Sequence, residues 1–165
     1  MPSSTKKTVY ADTTGMGSWA EFPDGVEAHK LGTCSVTAIV NEGGFLLSNT
    51  SSDGFREIPA VHSLCDIYEK NKWLFGNKDV NVWIVYAQEN ANKGQEIKSS
   101  MRRIRPTRVF EQVYNGESFM KPPSEEGAQV CLKLIGGTVV ATLRRQDGGG
   151  CPIRLSGDGT TVVCP

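Results

Sequence analysis

The sequence predicts an α+β layered sandwich: a mixed, largely antiparallel sheet with two packed helices and a C-terminal β-ribbon. Two observations carry this. From Cys34 onward, runs rich in β-branched residues alternate with Gly-containing turn clusters, and two intervening stretches repeat apolar residues at three- and four-residue steps. A third is size, because 165 residues with 38% hydrophobic content suffice for the core of one domain and would leave two domains too small. A single domain over 1–165 is therefore expected, with an irregular lead-in at 1–26, a core at 27–146 and a ribbon at 147–165.

The lead-in places Gly15, Gly17, Pro23 and Gly25 among polar residues, which predicts irregular chain with one short strand around Thr8 to Ala11. Cys34 to Val40 is β-branched and apolar, and Asn41-Glu42-Gly43-Gly44 turns it into Phe45-Leu46-Leu47, a hairpin. After Pro59, which suits an early helical position, Val61, Leu64, Cys65, Tyr68 and then Trp73 mark a helix ended by Gly76-Asn77. Val80 to Ala87 is apolar on both faces, as a strand in the middle of the sheet should be.

Asn90 to Arg105 sets Ile97, Met101 and Ile104 against Lys93, Lys98, Arg102 and Arg103, an amphipathic helix stopped by Pro106. Thr107 to Tyr114 is a further strand. Val130 to Ile135 and Thr138 to Arg144, joined by Gly136-Gly137, form a second hairpin. The aromatic residues Trp73, Phe75, Trp83, Tyr86, Phe110 and Tyr114 fall on these elements and are read as packing groups.

Eighteen basic residues balance eighteen acidic ones, so no overall field favours phosphate backbones, and nucleic acid is not the expected partner. No apolar run has the length of a membrane span or a signal-peptide core. The chain as given reads as cytoplasmic, or as secreted if it is a processed form. Five cysteines, Cys34, Cys65, Cys131, Cys151 and Cys164, show no CxxC metal spacing, so no metal is expected. A turn over Ser156 to Gly159 that pairs Leu155 with Thr160 would set Cys151 opposite Cys164, a candidate disulfide whose state the compartment decides. Asp147 to Gly150 is glycine-rich, but no strand leads through it into a helix, so no phosphate-binding cofactor is implied.

The turn Leu31-Gly32-Thr33-Cys34, the apolar strand after it and the Gly43-Gly44 turn into a second strand resemble the signature of the CheD-type glutamine deamidases. Their fold is shared with the cytotoxic necrotizing factor toxins. The likeness spans roughly residues 28 to 115. It implies a thiol nucleophile at Cys34 that attacks a glutamine carboxamide, with a histidine near the end of the next strand as base. Ser48 stands at that expected base position, and Ala28 stands where the family has a third polar residue. His29, five residues before Cys34, and His62, near the start of the first helix, are the candidate replacement bases.

Three functions follow as alternatives. The first is a catalytically degenerate deamidase-like protein acting as a protein-binding or effector module, with Lys98, Arg102 and Arg103 as a basic contact surface for a protein partner. The second is an active Cys-dependent glutamine deamidase with a protein substrate. The third is a secreted structural or defence protein with a Cys151 to Cys164 bridge. Whether the chain is an enzyme is open at this point.

Overall fold

The structure, a computed structural model, describes residues 4–31, 34–51, 57–114, 128–145, 153–155 and 161–163. In chain order the elements are β1 (Lys7–Val9), β2 (Thr13–Ser18), β3 (Val26–Leu31), β4 (Ser35–Val40), β5 (Gly44–Thr50), α1 (Glu57–Lys70), β6 (Asn81–Ala87), α2 (Ala91–Met101), β7 (Arg108–Tyr114), β8 (Ala128–Ile135), β9 (Thr138–Arg145), β10 (Ile153–Leu155) and β11 (Thr161–Val163). The α+β sandwich is as the sequence predicts. Its strands divide between two sheets: sheet A in the order β1-β3-β8-β9-β10-β11, and sheet B in the order β2-β5-β4-β6-β7.

Strand alternation explains how the layers assemble. Val36, Ala38, Val40, Phe45, Leu47, Trp83 and Val85 of sheet B meet Val26, Ala28, Val130, Leu132, Ala141 and Leu143 of sheet A in one core. The opposite face of sheet B carries Ile39, Leu46, Val82, Ile84 and Tyr86, which pack against Val61, Leu64 and Tyr68 of α1 and Ile97 and Met101 of α2. Sheet B is thus sandwiched between sheet A and the helices. This is why β4 is buried at all six positions and why β6 is apolar and buried from Val82 to Ala87. The middle strand is β4; β6 lies one place nearer the edge, between β4 and β7.

Several boundaries differ from the sequence expectation. The lead-in holds two strands and leads directly into a third, because Gly15 and Gly17 let neighbours press onto β2. A Cβ at Gly15 would lie 2.5 Å from Val9 Cγ2, and one at Gly17 2.6 Å from the Phe22 ring. Glycine lowers the strand signal while making this approach feasible. Helix α1 ends at Lys70, where the Asn71 side-chain amide donates to the Ile67 carbonyl at 2.7 Å. A separate 3-10 turn over Lys72–Phe75 follows, buries Phe75 and leaves Trp73 66% exposed, so Trp73 is not the packing group its spacing suggested. Helix α2 gives way to a 3-10 turn at Arg102–Ile104, and Arg105 has a φ of 54°. The proline that follows disfavours right-handed helix at Arg105.

The terminal ribbon pairs Leu155 with Thr161 rather than Thr160, one residue further along than the turn signal suggested. Cys151 and Cys164 lie outside the described residues.

Candidate functional site

Cys34 precedes the first residue of β4 and is 8% exposed, with its side chain in the core between the sheets. Gly32 and Thr33 lie outside the described residues. The phenol of Tyr114, the last residue of β7, donates to the Cys34 carbonyl at 2.7 Å. This ties the entrance of the central strand to the edge of the same sheet.

Ser48 does not face this thiol. The β4–β5 register sets Ser48 opposite Thr37 and Asn49 opposite Val36, and side chains one residue apart point to opposite faces. Ser48 therefore lies on the helix side, where it lines a 270 Å³ cleft with Thr14, Thr50, Ala60 and Ser63. Its hydroxyl is 3.3 Å from that of Thr50. The β5 residue on the Cys34 side is Asn49, fully buried, which donates to the Val9 carbonyl at 3.1 Å and the His29 carbonyl at 3.4 Å. An amide cannot accept a thiol proton at neutral pH.

The two histidines occupy other layers. His62 is exposed on α1, near Asp66. His29 is on the outer face of sheet A, where its Nε2 lies 2.6 Å from Glu27 Oε1 and its ring meets the edge of Tyr10. Cys34, Ser48, His29 and His62 thus point into four different spaces, and the fold does not bring them together as one site.

His29 instead belongs to a cluster that no sequence motif marks. Glu27 is 7% and Gln129 4% exposed, unusual burial for residues on an outer sheet face. Glu27 Oε2 accepts from Lys6 Nζ at 3.3 Å and also from Gln129 Nε2. Gln129 Oε1 accepts from Arg144 Nε at 3.0 Å. The 3.2 Å approach of Gln129 Nε2 to His29 Nε2 follows from both nitrogens serving one carboxylate. Cys131 sits directly opposite Glu27 in the β3–β8 ladder, and burial pushes its thiol pKa up from the usual value. The period-two pattern of Val26-Glu27-Ala28-His29 and Gln129-Val130-Cys131-Leu132 was the available signal.

The basic residues end the helical layer. Arg103 bonds to Asp66 of α1, and this hydrogen bond is the main cause that holds the Asp66 carboxyl below its ordinary range. Arg102 and Arg105 are exposed, and Lys98 is half-buried. Arg105 also borders a 400 Å³ groove with Tyr68, Lys72, Asn77, Lys78 and Ile104. Lys72 pairs with Glu69 at 2.9 Å and Lys78 with Glu42 at 3.3 Å.

Among the described residues, no three His, Cys, Asp or Glu side chains gather to hold a metal ion. No described helix is long and apolar enough to cross a membrane. Compared with known protein families and with curated proteins, the chain matches none.

Proposed function

We propose that the protein is a binding module on a deamidase-like scaffold, without the chemistry that the Leu31-Gly32-Thr33-Cys34 turn implies. The observation that carries this is the placement of Cys34, buried between the sheets with Ser48 on the other face of sheet B. A thiol enzyme requires a base beside the nucleophile and an approach for the substrate carbonyl. Neither His29 nor His62 supplies that base, since one is bound by Glu27 outside sheet A and the other is exposed on α1.

For contact with an acidic protein surface, the basic end of the helical layer is the best-suited face. Arg102 and Arg105 are exposed there, Arg105 at the groove under the 3-10 turns, and exposed cations of this kind steer and orient acidic partners. A combined Arg102→Glu and Arg105→Glu variant should lose retention on immobilised polyglutamate at low salt, while Cys34→Ser retains it. Unchanged retention would remove this face. Ammonia release from glutamine-containing peptides that disappears in Cys34→Ser would overturn the non-catalytic assignment.

A further inference from the structure

The outer face of sheet A carries an open groove of about 580 Å³ lined by Thr5, Lys6, Asp24, Cys131, Lys133, Thr142 and Arg144. Its size lies within the range of small-molecule sites. Among the described residues the acidic groups here are already engaged: Glu27 by Lys6, His29 and Gln129, and Asp24 by Thr5 and by Lys133 at 3.7 Å. Arg144 is different, because its hydrogen bond goes from Nε to a neutral amide oxygen and no described carboxylate forms an ion pair with it.

The network behind Arg144 fixes its orientation. Glu27 can only accept as a carboxylate, so it holds the NH2 of Gln129 and turns Gln129 Oε1 toward Arg144 Nε. The guanidinium is then held by one nitrogen, and its two terminal nitrogens are left to form a fork toward a ligand. Lys133, paired with Asp24, and Thr142 lie on the same face of β8 and β9 and bring an ammonium and a hydroxyl to the groove, which Cys131 also lines.

We propose that this groove binds a small molecule through a phosphate or carboxylate group, clamped by the terminal nitrogens of Arg144. The site lies outside sheet A, across the inter-sheet core from sheet B and the helices, so it stands or falls independently of the basic helix end. Burial of Glu27 and Gln129 serves the clamp: it places the orienting groups where water does not compete.

The test is an NMR titration of the full chain with inorganic phosphate and, separately, with acetate, following backbone amides of β8 and β9 and the Gln129 side-chain amide. Either anion should give saturable shifts, with millimolar affinity, about 4 kcal/mol. Arg144→Gln should weaken binding about tenfold or more, as loss of a charge-assisted contact does. Lys70→Gln, at the exposed end of α1, should leave the affinity unchanged. Saturating anion should also slow N-ethylmaleimide labelling of Cys131, read by peptide mass. The proposal is overturned if neither anion saturates, or if Arg144→Gln binds as the parent does. Because Arg144 is exposed its loss should not unfold the chain; Lys133→Gln, also weakened, provides the independent check.

Discussion

Gly94→Ala should destabilise this protein even though it improves helix propensity. In an exposed helix the change is worth about 1 kcal/mol of stabilisation. Gly94, however, is buried on the inner side of α2, where an added Cβ would lie 2.3, 2.4 and 2.7 Å from three atoms of the Tyr86 ring. Ordinary contact requires the ring or the helix to retreat by roughly 1 Å. Tyr86 has little room to do so, since β6 is flanked by β4 and β7 and its phenol donates to Glu111 Oε2 at 2.9 Å. Overpacking costs about 1–3 kcal/mol, and loss of a hydrogen bond to a charged group about 1.5–3 kcal/mol. Set against the propensity gain, the lower end of these ranges leaves a net loss of about 2 kcal/mol. Urea unfolding followed by tryptophan fluorescence and circular dichroism would measure it. The same substitution in a Tyr86→Leu background should become neutral or stabilising, a coupling of about 2–3 kcal/mol across the cycle. If Gly94→Ala stabilises the parent, or costs as much beside Leu as beside Tyr, the close seating of α2 on β6 is refuted.

Two further outcomes follow from buried polar groups. Asn41 joins the β4–β5 turn to the chain after α1: its amide donates to the Phe75 carbonyl at 2.8 Å and the Asp79 carbonyl at 3.2 Å, and its Oδ1 accepts from the Gly43 N–H at 2.8 Å. Asn41→Ala should cost about 3 kcal/mol in chemical denaturation, and Asn41→Asp should not rescue it, because a carboxylate would face two carbonyl oxygens. Burial first, and then the hydrogen bond to Glu111, push the Tyr86 pKa up to about 12 from the ordinary 10.0. The neutral phenol is therefore favoured by folding, so this contribution is complete below about pH 10 and disappears as pH rises toward 12, on the order of 2 kcal/mol. Absorbance at the phenolate band should lose one late-ionising tyrosine in Tyr86→Phe, leaving Tyr68, which burial also pushes up, and the parent should lose its stability advantage over that variant across the same interval.

Much of the architecture was legible because local periodicity reports burial directly. The apolar runs of β4 and β6, the spacing of Ile97 and Met101 on α2, and the Gly136-Gly137 hairpin all state which segments form elements. The lead-in was not legible. Gly15 and Gly17 remove the very side chains that would signal a strand, and the contacts that make β2 one come from Val9, Phe22 and β5. Trp73 shows the reverse error: helical spacing continued on paper past the point where Asn71 had ended α1.

The site was legible only as residue types. By itself the sequence determined a thiol at a strand entrance, a hairpin after it, two amphipathic helices and the absence of a net charge, since each is a property of one residue or one short window. The tertiary structure decided which side of each strand those residues occupy. A one-residue step along β5 places Ser48 under α1 and Asn49 beside the inter-sheet core, and the same alternation carries Glu27, His29, Gln129 and Arg144 to the outer face of sheet A. Glu27 and Gln129 are 102 positions apart, so only the β3–β8 ladder makes them partners. Local alternation groups the residues that share a face, but pairing between distant strands decides which neighbour and which layer that face meets, and no local pattern encodes it.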